Sequence, residues 1–287
     1  MSPNRADDLD VLCVGEALWD LTPPRGGTFA GAPSLRFRPG GAAVNVALLL
    51  ARLGWRAGLA AVLGDDALGE ALAARVSARG VSTALVRRAP PRTGLCFAEP
   101  AGEGTRVVGY RSAGDEAPEL GAGWRARALL LTGLAPSPEQ ATRFGAAASE
   151  GRRRGALVVV DVNARPRLWQ GRGGAPAWIA EAGVVKASEE DLAAMGLDER
   201  AMRAAMGPKA VLVVTAGPRA ARAIGPFGEV RAAPRPAKAE GRAVGAGDAF
   251  TAGVLDVLLR EGGGDDRWER ALRRGHALAR PRVIAGG

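Results

Sequence analysis

Cysteine and histidine are scarce in this chain of 287 residues, which contains two cysteines, Cys13 and Cys96, and one histidine, His276. Two cysteines, one of them inside an apolar run typical of a buried strand, exclude a disulfide framework and a cysteine-rich zinc site. A single histidine excludes metal sites built from several histidines, and a Ser-His-Asp triad would depend on that residue alone. Free thiols suit a reducing compartment, so we expect a cytoplasmic protein.

Lysine and long apolar runs are scarce as well. The lysines are Lys186, Lys209 and Lys238, and none follows a glycine-rich loop in the Gly-Lys-Ser/Thr order. This absence excludes a Walker A phosphate loop. No apolar run reaches 18 residues, and the segment before the first apolar run is rich in aspartate, so we expect neither a membrane span nor a signal peptide.

Positive charge is abundant but spread along the chain. Lys and Arg number 39 against 30 Asp and Glu, which gives a net charge of +9. The longest basic run is Arg152-Arg153-Arg154, and no aromatic residues interleave with it to form a stacking surface for bases. The pattern argues against a nucleic-acid partner. Alternating strand and helix patterns instead predict one α/β domain over residues 1–287, with a mainly parallel sheet covered on both faces.

The segment most indicative of chemistry is Gly245-Ala246-Gly247-Asp248-Ala249-Phe250-Thr251-Ala252-Gly253. Apolar residues recur at helical spacing from Phe250 onward, so a helix should begin at or just after the glycines. Its first N–H groups and partial positive charge would then face an anion such as a phosphoryl group. Asp248 lies beside them, where it could accept a proton from an attacking hydroxyl.

Two other interpretations of this segment stay open on these residues alone. The first is a plain loop with an acidic helix cap. The second is a dinucleotide-binding fingerprint, which fits less well because Phe250 occupies the third glycine position and the segment lies near the C-terminus.

A second glycine-rich segment, Arg38-Pro39-Gly40-Gly41-Ala42-Ala43-Val44-Asn45-Val46-Ala47, leads into an apolar helix that should end near Leu53-Gly54. Asn45 falls one turn inside this helix, where a buried amide needs hydrogen-bonding partners. Sugar hydroxyls would supply them. The alternative is that Asn45 only bonds to neighbouring backbone.

These two segments, with Leu63-Gly64-Asp65-Asp66-Ala67-Leu68-Gly69 between them, resemble the signatures of ribokinase-like, PfkB-type carbohydrate kinases. The resemblance covers nearly the whole chain. It implies a mainly parallel central sheet flanked by helices and a small β lid, formed by segments near 24–38 and 92–112. It also implies phosphoryl transfer from ATP with Mg²⁺, with Asp248 as base and Gly245, Ala246 and Gly247 as the anion hole.

On the acceptor side, the resemblance implies a set of sugar contacts. Val11 to Asp20 reads as one buried strand whose end delivers Asp20, and Arg111 and Arg165 are candidates to contact a hydroxyl or carboxylate. The implied substrate-binding residues are Asp20, Gly40, Gly41, Asn45, Arg111, Asn163 and Arg165.

On the nucleotide side, Val184 to Asp191 matches the element of the family that organises magnesium and phosphates. Glu190 and Asp191 are the candidate metal ligands, although a run of acids is also typical of a solvated helix start. The implied nucleotide-binding residues are Ser188, Thr215, Gly217, Gly245, Gly247 and His276.

The chain departs from the family pattern before Gly245. Arg242 stands where these kinases commonly carry an aspartate that helps to hold potassium, so we expect weak or absent activation by monovalent cations. The resemblance favours fructose as acceptor, with 2-keto-3-deoxygluconate, then ribose or a nucleoside, as alternatives. A catalytically weak sugar- or nucleotide-binding protein is the alternative from another class. A homodimer through the lid is a further expectation.

Overall fold

A computed structural model describes residues 8–24, 27–101, 104–110, 118–121, 123–133, 137–164, 173–235, 245–261 and 264–280. Arg111, Arg165 and Arg242 lie outside these ranges. The strands within them are β1 (Leu9–Val14), β2 (Leu18–Thr22), β3 (Arg36–Gly40), β4 (Ala57–Gly64), β5 (Ser82–Ala89), β6 (Gly94–Ala101), β7 (Gly104–Tyr110), β8 (Ala126–Thr132), β9 (Leu157–Asp161), β10 (Val184–Ser188), β11 (Val211–Thr215), β12 (Ala221–Gly225) and β13 (Gly228–Ala232).

The α-helices in the same ranges begin at clear sequence signals. Asp66, Ser137 and Asp198 each accept a hydrogen bond from a backbone N–H in the first turn that follows. The helices are α1 (Ala42–Arg52), α2 (Ala67–Ser77), α3 (Pro138–Arg153), α4 (Glu189–Ala194), α5 (Glu199–Ala205), α6 (Ala246–Arg260) and α7 (Arg267–Ala279). None of these helices is both long and apolar enough to cross a membrane.

Nine strands form the central sheet in the order β13-β12-β11-β10-β9-β8-β1-β4-β5. Pairing is parallel from β5 to β11 and antiparallel for β12 and β13. Strands such as Val211–Thr215 are continuous apolar runs because helices cover the sheet on both faces. One core contains residues of α1, α2, α6 and α7, and the other contains residues of α3, α4 and α5. The predicted fold class is confirmed.

A second sheet has four strands in the order β3-β2-β6-β7. Within the segment near 92–112, β6 pairs antiparallel with β7, and Ala101 lies opposite Gly104. Strand β3 ends at Gly40, and α1 begins two residues later. This sheet therefore delivers the chain directly to the helix that carries Asn45.

The prediction of one strand from Val11 to Asp20 was wrong. Strand β1 ends at Val14, and β2 belongs to the second sheet, so Asp20 lies in the middle of a strand. The break occurs at Gly15, where an added Cβ would lie 2.6 Å from the carbonyl oxygen of Thr132. The backbone of β8 approaches too closely there for a side chain, and the chain leaves the central sheet. The apolar run hid this break because both strands are buried.

Candidate active site

The loop before α6 presents a helix N-terminus, as the sequence predicts. Gly245 caps the helix with φ 80° and ψ 10°, a left-handed conformation that favours glycine. The first bond of the helix runs from the N–H of Ala249 to the carbonyl of Gly245, at 2.9 Å. The N–H groups of Ala246, Gly247 and Asp248 precede that bond and have no intrahelical acceptor. They are available to an anion beside the carboxylate of Asp248.

Asn45 contacts Asp248 directly. Its Nδ2 donates to Oδ2 of Asp248 at 2.8 Å. Asn45 is held by the first turn of α1, in which its backbone N–H donates to the carbonyl of Gly41 at 2.9 Å. Gly41 has φ 95°, and a Cβ added there would lie 2.2 Å from the carbonyl oxygen of Glu16. The predicted base and the predicted sugar contact are therefore side by side, and a Cβ added to Gly245 would lie 3.8 Å from Oδ2 of Asp248 and 3.9 Å from Nδ2 of Asn45.

Asp20 lies next to Gly40 across the β2–β3 pair. A Cβ added to Gly40 would lie 2.3 Å from Oδ2 of Asp20, so the carboxylate fills the space that the missing side chain leaves. Asp20 is partly exposed. In the strand register Asp20 lies opposite Arg38, and its side chain reaches Gly40, which is followed by Gly41 and the start of α1. The predicted acceptor residues Asp20, Gly40, Gly41 and Asn45 are thus connected by contacts that lead to Asp248.

A buried ion pair beside this surface was missed at the sequence level. Nζ of Lys186 lies 2.9 Å from Oδ1 of Asp161, and Thr251 donates through Oγ1 to Oδ2 of Asp161 at 2.6 Å. Lys186 is 6% exposed and Asp161 is 0% exposed. The available signal was a lone lysine inside the apolar strand Val184–Ser188.

The electrostatics of this pair favour a charged lysine. Burial alone would lower the pKa of Lys186, but the carboxylates of Asp161, Asp191 and Asp248 outweigh burial and hold that pKa above its ordinary value. Burial raises the pKa of Asp161, and Lys186 opposes this effect. A charged ammonium therefore lies under the start of α6, where a Cβ added to Gly247 would be 3.4 Å from Nζ.

Ser188 and Asp191 form a capping box at the start of α4. Oδ2 of Asp191 accepts from the N–H of Ser188 at 2.7 Å, and the Ser188 hydroxyl accepts from the N–H of Asp191 at 3.0 Å. Oδ1 of Asp191 accepts from the N–H of Ala164 at 2.7 Å. Both carboxylate oxygens of Asp191 thus accept hydrogen bonds from backbone N–H groups, while Glu190 is exposed. The described residues contain no group of three or more His, Cys, Asp or Glu side chains arranged to hold a metal.

The remaining predicted residues follow strands of the central sheet or lie behind it. Asn163 comes after β9 with φ 39°, Thr215 ends β11, and Gly217 has φ 57° in the turn that follows. His276 is buried, with Nε2 3.0 Å from the carbonyl oxygen of Ala232 and its ring edge-on to Phe250. Among the described residues, the Asp248 carboxylate accepts a side-chain hydrogen bond from Asn45 and not from these four residues. Their roles stay predictions.

The chain is similar to known carbohydrate kinases in both sequence and structure. The family model described as pfkB family carbohydrate kinase matches residues 8–284. The chain is 30% identical over 278 residues to a protein named probable fructokinase-6, chloroplastic, of Arabidopsis thaliana, covering 88% of this chain and 70% of the relative. It is also 30% identical to a fructokinase of Klebsiella pneumoniae, covering 88% of this chain and 85% of the relative. A crystal structure of fructokinase with bound ATP from Xylella fastidiosa superposes with a TM-score of 0.80 at 22% identity, covering 100% of this chain and 94% of that one.

Proposed function

Because this chain belongs to the pfkB family of carbohydrate kinases, we propose that it transfers the γ-phosphoryl group of ATP to a hydroxyl group of fructose. Relatives named fructokinase, about 30% identical over most of the chain, support fructose as the acceptor. The observation that carries the proposal is the position of Asp248. Its carboxylate lies in the first turn of α6, beside N–H groups without intrahelical acceptors and next to Asn45.

Asp248 is proposed as the general base. As the sugar hydroxyl attacks the γ-phosphorus, its proton passes to a carboxylate oxygen of Asp248. A new O–P bond forms to the sugar, and the bond between the γ-phosphorus and the bridging oxygen breaks. The electron pair of that bond leaves with ADP. The N–H groups of Ala246, Gly247 and Asp248 stabilise negative charge on the transferred group, because they are fixed before the reaction begins.

The acceptor is proposed to lie along Asp20, Gly40, Gly41 and Asn45. A carboxylate and an amide can each hydrogen-bond to sugar hydroxyls, and the absence of a Cβ at the two glycines lets the Asp20 carboxylate and the carbonyl of Glu16 lie close to the backbone there. Asn45 carries two hydrogens on Nδ2, so one can bond to Asp248 and the other to the sugar. Asn163, and Arg111 and Arg165 outside the described residues, complete the proposed acceptor contacts.

ATP is proposed to place its phosphates at the start of α6, with the nucleotide reaching toward Thr215 and Gly217 at the end of β11. The left-handed Gly245 and the uncapped N–H groups fit an anion. Magnesium, when bound with ATP, neutralises phosphate charge. The residues described fit a metal held mainly by phosphate oxygens, because the oxygens of Asp191 already accept backbone N–H groups.

The test is ATP turnover with Mg²⁺ against fructose, 2-keto-3-deoxygluconate, ribose and adenosine, each with and without K⁺. We expect fructose to be phosphorylated and Asp248→Asn to lower kcat by about 10³-fold, since the amide cannot accept the proton. Glu269→Gln, on the exposed face of α7, is the matched control and should keep parental turnover. If one of the other acceptors is phosphorylated and fructose is not, that acceptor replaces fructose in the proposal. Sugar binding without any turnover would favour a binding protein.

The oligomeric state is a separate part of the proposal. Phe37 on β3 is 42% exposed although it packs edge-on against Trp19. An exposed aromatic residue on the second sheet supports a homodimer through that sheet. Light scattering of the parent and of Phe37→Ser would test it, and a monomeric parent at micromolar concentration would exclude it.

A further inference from the structure

We propose that Asp161, Lys186 and Thr251 form a buried positioning unit, which fixes the first turn of α6 against the central sheet and thereby sets the place of the Asp248 carboxylate. This inference rests on the proposed role of Asp248 as base. None of the three residues is assigned a function by the resemblance or by the comparisons reported above. Their geometry connects two neighbouring strands to the helix that carries the proposed base.

The three side chains come from three separate elements. Asp161 ends β9, Lys186 lies in β10, and Thr251 lies one turn into α6. The Asp161 carboxylate joins them, with Lys186 on Oδ1 at 2.9 Å and Thr251 on Oδ2 at 2.6 Å. The partner strands place Asp161 and Lys186 directly opposite each other. The unit therefore ties the helix to the end of β9 and to the middle of β10, its parallel neighbour.

Burial of this ion pair costs free energy, so the presence of the two charges needs a reason other than stability. Side chains of Lys186 and Asp161 are 7% and 1% exposed. Taking two charges out of water is costly, and well-packed apolar residues of similar volume often give an equal or more stable protein. In a core of valine and leucine, apolar residues in place of Lys186 and Asp161 would be tolerated. Their presence at the base of α6 is explained if they hold geometry there.

The link to Asp248 is short. Thr251 lies three residues after Asp248, and positions three apart are neighbours on one helix face. The Thr251 hydroxyl is also 3.1 Å from the carbonyl oxygen of Gly247, the residue just before Asp248. On the other side, Lys186 lies under Gly247. Asp248 thus lies between Gly247, which contacts the unit, and Thr251, which belongs to it. A displacement of about 1 Å at a reacting group can cost about 10²-fold in rate.

The test compares Thr251→Val with Thr251→Ser. Valine keeps the volume and branching of threonine but removes the hydroxyl, while serine keeps the hydroxyl. We expect Thr251→Val to lower kcat at least tenfold with KM for ATP and sugar changed less than threefold, because the lost interaction orients a group used in the transition state. Thr251→Ser should recover at least half of the parental kcat. Equal kcat in the parent and Thr251→Val would overturn the proposal.

A second comparison separates positioning from folding. Lys186→Met leaves Asp161 as an uncompensated buried charge and should lower Tm strongly. Adding Asp161→Asn removes that charge, so the double variant should regain most of the lost Tm. Its kcat should stay at least tenfold below the parent. If kcat returns together with Tm, the unit is only structural and the inference fails.

Failure of the proposed function would look different. In that case the parent and Asp248→Asn would give the same turnover with every acceptor of the panel. The inference is then decided by crystal structures of the two Thr251 variants. In Thr251→Val, the Asn45–Asp248 distance should exceed 3.5 Å, and in Thr251→Ser it should remain near 2.8 Å. An unmoved Asp248 in Thr251→Val would overturn the inference whatever the turnover.

Discussion

The side-chain amide of Asn45 donates to the carboxylate of Asp248 at 2.8 Å, although 203 residues separate them in the sequence. This bond joins the start of α1 to the start of α6. It connects the two glycine-rich segments that carry the resemblance to carbohydrate kinases. Asn45 therefore has a partner in the protein itself, and we infer that it orients the carboxylate in addition to making its proposed contact with the sugar.

Substitution of Asn45 should affect the rate through Asp248. We expect Asn45→Ala to lower kcat/KM for the sugar 10- to 100-fold, because a hydrogen bond to a charged group is worth about 1.5–3 kcal/mol. Asn45→Asp should be worse at neutral pH, since two adjacent carboxylates resist both being ionised. The acidic limb of the pH–rate profile of Asn45→Asp should therefore lie at higher pH than that of the parent. An Asn45→Asp profile that overlays the parent would contradict the orienting role.

Gly40 offers a test of the acceptor surface. An alanine Cβ there would lie 2.3 Å from the Asp20 carboxylate, so Gly40→Ala must displace that side chain. We expect KM for the sugar to rise about tenfold, which corresponds to loss of about one hydrogen bond to a charged group. Gly31→Ala is the matched control, because a Cβ there meets nothing within 4 Å.

A double variant identifies the cause of any change at Gly40. Adding Asp20→Ala to Gly40→Ala relieves the clash but removes the carboxylate. We expect KM to stay raised in the double variant. Recovery of the parental KM would show that Asp20 is dispensable for the sugar and that the clash alone was harmful.

Asp256 makes a second buried network, which should govern acid stability. It accepts from Trp55, Arg260 and Arg274 at 2.8–2.9 Å and is 3% exposed. Burial alone would raise the pKa of Asp256, but these hydrogen bonds outweigh burial and hold that pKa below its ordinary value. The network therefore stabilises the fold above the unfolded pKa of the carboxyl, and this stability is lost as pH falls through the lower, folded value.

Asp256→Asn should lower the free energy of unfolding by about 2 kcal/mol at pH 7. The difference from the parent should shrink below about pH 4, as the parental carboxyl protonates. Urea unfolding at several pH values measures both effects. The exposed pair of Glu269 and Arg273 is the control, and Glu269→Gln should change stability by less than about 0.5 kcal/mol. A difference for Asp256→Asn that is constant from pH 7 to pH 3 would exclude the mechanism.

Much of the fold was predictable, because glycines and apolar runs are local signals. Gly245 predicted the start of α6, and Gly54, which has φ 91°, predicted the end of α1. Strands β9 and β11 were recognisable as apolar runs that each end in a polar residue, Asp161 and Thr215. In contrast, the division of β1 from β2 depends on the close approach of Thr132 to Gly15. That contact involves a strand more than one hundred residues away in the sequence, and no periodic sequence pattern marks it.

The site was predictable only where a motif marked it. Asp248 and Asn45 belong to two segments with family signatures, and the structure brings them into contact. Lys186 and Asp161 are 25 residues apart and Asp161 and Thr251 are 90 apart, so no spacing rule joins them. Only the tertiary arrangement of β9, β10 and α6 does. A buried lysine in an apolar strand was the one clue, because such a charge needs a partner.

A variant of His276 can distinguish the predicted nucleotide contact from a structural role. Nε2 is 3.0 Å from the carbonyl oxygen of Ala232 and 3.3 Å from the backbone nitrogen of Ala221, which pair across the β12–β13 hairpin. The ring also packs edge-on against Phe250, with centroids 5.2 Å apart. Burial lowers the pKa of His276, and the Ala232 bond only partly offsets this effect. The folded state thus favours the neutral ring.

We expect His276→Gln to lower Tm and to leave KM for ATP within twofold of the parent. Because the unfolded histidine takes up a proton near pH 6.5 and the folded one at lower pH, parental stability should fall as pH drops below 6.5. His276→Gln should lose that part of the slope, since glutamine does not titrate. A raised KM for ATP at unchanged Tm would instead assign His276 to the adenine pocket, because a residue that only braces the hairpin against α6 cannot change nucleotide affinity without changing stability.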